Sequence, residues 1–191
     1  RHKIFLPFIA ALICGSVGVF LPEILGLGIG AINDLIAGNI SLLKVSMLLI
    51  AKISMTALCI GFGLFGGIFS PALFIGVSAG SLAAGFFAAI GYPDLAQVII
   101  ISGMAAVAAS VIGAPITSVL IVLELTGSYE YGVAAMVAVI ISSLVTYRAF
   151  GLSFFDRQLL DRRIDMRQGR ESIALSQRLV TTCEHMDFVK L

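Results

Sequence analysis

Hydrophobic positions run along this chain in long blocks, each close to the length of a bilayer crossing, with few polar residues to mark a solvated face. The first block covers residues 4–21 and ends at Pro22 and the glycines Gly26, Gly28 and Gly30. A short helix is predicted over 31–37, with Gly38-Asn39 as its stop. A second long helix is predicted over 42–60, with Lys44 and Lys52 early enough in it to snorkel toward the interface. After a glycine-rich break come apolar stretches at 68–90 and 95–112, separated by Gly91-Tyr92-Pro93-Asp94. Pro115 then opens a segment over 116–125 that is too short to cross a bilayer at about 1.5 Å per residue. A further apolar helix is predicted over 131–147, and Ser153 is placed to cap a short helix ending at residue 160. The fold class is all-α: a polytopic membrane protein with tilted, broken and re-entrant helices.

Charge sharpens this picture. Hydrophobic residues make up 59% of the chain and charged residues 12%, half the usual share of about 25%. The charges are segregated: from 53 to 147 only Asp94, Glu124 and Glu130 are ionised. From residue 148 onward the chain is polar and slightly basic, which places the tail in the cytoplasm by the positive-inside rule. The protein is expected in the cell membrane, contacting lipid. No basic patch with interleaved aromatics exists, so nucleic acid is not an expected partner. Cys14, Cys59 and Cys183 have no disulfide or zinc spacing, and Cys14 and Cys59 read as small core residues. No metal or cofactor is expected.

The run Gly66-Gly67-Ile68-Phe69-Ser70-Pro71 lies inside residues 53–93, which contain no charged side chain. Unpaired backbone groups in hydrocarbon cost several kcal/mol, roughly, unless they line an enclosed cavity. A helix that starts at such a break offers free N–H groups to an anion. The competing reading is close helix packing, since Gly63 and Gly67 form a GxxxG pair. Gly76-Val77-Ser78-Ala79-Gly80 matches the GxSxG pattern of serine hydrolases, but the only histidines, His2 and His185, lie outside the apolar region. A serine without a base is not activated, so these residues read as a packing face and the protein is not expected to be an enzyme. Glu124 near a helix end reads as a structural carboxylate with local hydrogen bonds; the run 104–109 reads as close packing; Asp34 and Asp94 read as solvated.

Several motifs then agree. Gly67-Ile68-Phe69-Ser70-Pro71 resembles the GIFxP signature of the CLC chloride channel and transporter family. Ala108-Ala109-Ser110-Val111-Ile112-Gly113-Ala114-Pro115-Ile116-Thr117 looks like its AAxxxAPxT segment, and Leu123-Glu124-Leu125-Thr126 like its LE(L/M)T. Ser153-Phe154-Phe155-Asp156-Arg157-Gln158-Leu159 is similar to the end of the membrane domain in bacterial members. The resemblance implies that residues 1–160 form the C-terminal half of an inverted-repeat membrane domain, followed by a cytoplasmic linker over 161–179 and the truncated start of a CBS domain over 180–191. It implies transmembrane chloride transport, by exchange against protons or as a passive channel, and a homodimer whose interface uses helices near 115–125 and 131–147.

Carried over residue by residue, the resemblance implies chloride binding by Gly67, Ile68, Phe69 and Ser70, with Ile68 and Phe69 supplying amides. Gly66, Pro71, Pro115 and Glu124 are the structural positions of the motifs. The family's central-site tyrosine falls at Phe155, which has no hydroxyl. The family's GSGxP serine and GxEGP glutamate motifs belong to the other half and do not occur here. The chain is expected to start mid-protein, to hold half a pore and not to transport alone. A purely structural half, stable but inactive, is the alternative.

Overall fold

The computed structural model describes residues 5–64, 66–151 and 153–161, and its order of elements is helical throughout. The helices are α1 (Phe5–Phe20), α2 (Ile29–Ile36), α3 (Leu42–Gly61), α4 (Phe69–Ala89), α5 (Ala96–Ile112), α6 (Pro115–Thr126), α7 (Tyr129–Phe150) and α8 (Phe154–Asp161). Single 3₁₀ turns at Pro22–Ile24 and Pro93–Leu95 lead toward α2 and into α5. Each predicted segment is found, with ends moved by a few residues at most. The expected linker over 161–179 and the segment 180–191 lie, from residue 162 on, outside the described residues. Among the described residues four spans are long and apolar enough to cross a membrane, while α1 and α6 are shorter apolar helices. The protein is an integral membrane protein.

α5 lies at the centre, packed on α4 and on α7; α3 covers α4, and α6 covers α7. The α4–α5 seam explains the GxSxG residues. A Cβ added at Gly76 would come within 2.7 Å of the Gly103 carbonyl and of the Met104 backbone, and one at Gly80 within 2.7 Å of Ile100 Cα. Glycine on both sides lets two backbones touch, the device available to membrane helices that gain nothing from expelling water. Ser78 lies between these glycines, fully buried, with no hydrogen-bond partner for its hydroxyl among the described residues. It is a packed position with no access for a substrate. Met104, Ala105, Ala108 and Ala109 continue the seam, all buried.

The chain turns from α5 into α6 at Gly113, whose φ of +76° suits glycine. Pro115 occupies the first turn of α6, where its missing N–H costs nothing. The Gly113 turn is pinned from outside: a Cβ there would fall 2.6 Å from Ser153 Oγ. Ser153 Oγ accepts the Asp156 N–H at 3.2 Å and donates to Asp156 Oδ2 at 2.8 Å, the predicted cap of α8.

Asp34 and Asp94 are exposed, as predicted. Glu124 differs from expectation: its side chain is exposed and makes no hydrogen bond within the described residues. The α6 end is closed instead by Thr126, whose hydroxyl donates to Val122 O at 2.8 Å.

Candidate anion site at the start of helix α4

The glycine-rich break is an open backbone segment. Gly63 has φ +81°, and a Cβ at Gly63, Gly66 or Gly67 would meet nothing within 4 Å. Among the described residues no helix packs against the Gly63–Gly67 pair; helix contact is made further on, at Gly76 and Gly80. The break instead borders a cavity of about 330 Å³, lined by Gly66, Gly67, Ile68 and Pro71 from the start of α4, by Lys52, Thr56 and Cys59 from α3, and by Cys14 from α1. Cys14 and Cys59, expected as core residues, are half-buried on this wall.

Backbone geometry makes this end of α4 electropositive. Ile68 is its N-cap, and its carbonyl accepts the first ladder bond from Ala72 N–H at 3.1 Å. The N–H groups of Ile68, Phe69 and Ser70 precede that bond and have no acceptor within the helix, and Pro71 has no N–H. Aligned peptide dipoles add roughly half a unit positive charge at this end. The Ser70 hydroxyl does not cap the helix; it donates to Leu27 O at 3.1 Å.

The same loop is held from the other side by Lys52. Expected to snorkel, this lysine does the reverse: only 3% of its surface is exposed. Its Nζ donates to Ile24 O at 2.8 Å and to Gly26 O at 3.2 Å, and lies 4.9 Å from the centre of the Phe74 ring. It sits midway along α3, too deep for its stem to reach water once the loop 22–28 closes over it. Lys44, near the start of α3, is half exposed and pairs with Glu23 at 2.6 Å. Lys44, with the Glu23 backbone N–H, holds the Glu23 carboxyl below its usual range.

Gly67 and Ile68 therefore line the cavity, Ser70 anchors the loop beside it, and Phe69 opens α4. Phe155 is not among the residues lining this cavity; it is half-buried in α8 with its ring edge-on to Phe154 at 6.1 Å. Lys52 is the site residue that sequence reasoning missed. The signal was available, because an ionisable side chain at the middle of an apolar helix marks a functional position by default.

Comparison with known proteins places the chain in a family. The family description "Voltage gated chloride channel" matches residues 1–147. The chain is 34% identical over 153 residues to the H(+)/Cl(-) exchange transporter ClcA of Vibrio campbellii, covering 78% of this chain and 32% of that protein. It is 35% identical over 155 residues to the ClcA of Vibrio vulnificus, covering 80% and 33%, and 33% identical over 171 residues to that of Citrobacter koseri, covering 88% and 36%. The chain spans about a third of the length of the curated relatives it matches. With a family match over residues 1–147, this chain belongs to the voltage gated chloride channel family.

Proposed function

We propose that this chain contributes half of the pathway of a membrane protein that carries chloride, and that the anion passes the start of α4 at Gly67, Ile68, Phe69, Ser70 and Pro71. The observation that carries the reading is the α4 N-terminus: backbone N–H groups ahead of the first ladder bond, beside a cavity bordered by Gly66–Ile68. The amides attract the anion through partial charges, which suits an ion that must also leave. The relatives' names, exchange transporters of protons and chloride, favour proton-coupled exchange over a passive channel. With Phe155 in place of a hydroxyl-bearing side chain, one direct anion contact is missing, so the amides carry more of the binding.

In the same reading the subunits pair through α6 and α7. Ile116 and Leu120 on α6, and Val133, Val137, Ile140 and Leu144 on α7, present apolar side chains outward at helical spacing. The basic tail lies in the cytoplasm.

Radioactive chloride uptake into liposomes tests the reading, comparing this chain with the full-length protein, with and without a pH gradient. Uptake by the full-length protein alone, responding to the gradient, is the expected result. Absence of chloride uptake by the full-length protein contradicts it.

A further inference from the structure

Lys52 is buried, and among the described residues no carboxylate pairs with its charge. The salt bridge present among the described residues joins Lys44 to Glu23 and leaves Lys52 out. An ammonium has three donors; Ile24 O and Gly26 O take two of them. Carbonyl oxygens solvate a cation without neutralising it, so one donor and the positive charge remain. Buried charges in proteins are paired. The open space that Lys52 borders is the cavity of about 330 Å³ shared with Gly66, Gly67 and Ile68, far above the roughly 10–15 Å³ of such space that one water needs.

We propose that Lys52 is a selectivity-determining residue, its ammonium being the fixed countercharge for a small monovalent inorganic anion held in the cavity between α3 and the start of α4. This rests on the reading of the chain as part of an anion path, and it adds a whole charge to the partial charges of the amides. The two carbonyls and the Phe74 ring hold the ammonium in place, so it cannot follow the ion. Their partial negative charge also weakens its field, which lets the anion leave again. Nothing in a loop clamp alone requires a cation, since a neutral amide donates to carbonyls equally well.

That distinction supplies the test. Chloride binding is measured by titration calorimetry on the full-length protein in detergent, for the wild type, Lys52→Arg, Lys52→Gln and the surface control Lys44→Gln. Lys52→Gln is expected to weaken binding about tenfold or more, equivalent to roughly 1.4 kcal/mol, while Lys52→Arg and Lys44→Gln bind within about threefold of wild type, a difference of roughly 0.7 kcal/mol or less. Wild-type affinity in Lys52→Gln overturns the proposal. Should Lys52→Gln fail to fold, Cys14 and Cys59 on the same cavity wall serve as native reporters. Their modification by methyl methanethiosulfonate in the wild type, read by mass spectrometry, is expected to be slower in chloride than in gluconate; equal rates overturn the proposal. Chloride flux combined with wild-type binding in Lys52→Gln rejects the Lys52 role and leaves the α4 path standing. Lys52-dependent binding without flux rejects the transport reading and leaves the Lys52 role standing.

Discussion

The Lys52 ammonium lies 4.9 Å from the centre of the Phe74 ring, and both side chains are buried. Phe74 thereby joins three elements. Its ring faces Lys52 of α3, it is anchored in α4, and a Cβ at Gly28 would strike it at 2.8 Å. Gly28 also has φ +68°, so glycine is required there for conformation and for space.

Phe74→Leu removes the ring face and leaves the cation without it. A desolvated cation–π contact is worth about 2 kcal/mol or more, and the smaller side chain leaves a void besides. The variant is expected to melt several degrees below wild type in detergent. An unchanged melting temperature refutes the contact's importance.

The α4–α5 seam predicts different penalties for two similar substitutions. Gly76→Ala drives a methyl group into the backbone of Gly103 and Met104, which cannot turn aside. Overpacking of this kind costs about 1–3 kcal/mol. At Gly85 the nearest atoms to an added methyl belong to the Leu42 side chain, which is exposed and can rotate. Thermal melts in detergent are expected to show a clear loss for Gly76→Ala and a small one for Gly85→Ala; equal effects contradict the seam.

Ser153→Ala removes both bonds of the α8 cap. Loss of such a cap costs about 1 kcal/mol. Proteolysis near residues 153–161 is expected to accelerate in this variant, and an unchanged cleavage rate counts against the cap.

The Glu23–Lys44 pair predicts a pH dependence. Because the folded-state carboxyl is held below its unfolded value, its contribution is complete above the unfolded value, about 4.3, and is lost as pH falls through the lower folded one. Both side chains are partly exposed, so the contribution is at most about 1 kcal/mol. Glu23→Gln is expected to lower stability slightly at pH 7 and to match wild type in strong acid. A difference between the two that persists unchanged at low pH contradicts the assignment.

The helices were legible because long apolar blocks punctuated by glycine and proline leave few alternatives in a bilayer. Pro115 and Ser153 announced their helix starts through local chemistry. The break at Gly66–Pro71 was legible as the start of a helix, and the structure adds the cavity beside it. What the sequence did not reveal depends on contacts between distant segments. Gly63 and Gly67 have the same spacing as Gly76 and Gly80, yet among the described residues only the second pair meets a neighbouring helix. Spacing records which face a residue occupies, not whether another helix lies against it. Lys52 was misread for the same reason. Its depth in α3 was visible, but not the loop 22–28 that closes over it and turns its ammonium toward Ile24 and Gly26.

The central claim is that an anion meets the free amides at the start of α4. Anomalous scattering from bromide in crystals of the full-length protein tests it most directly. The account predicts a bromide peak within hydrogen-bonding distance of the Ile68 and Phe69 N–H groups. Bromide bound elsewhere along the pathway, with none at these amides, contradicts it.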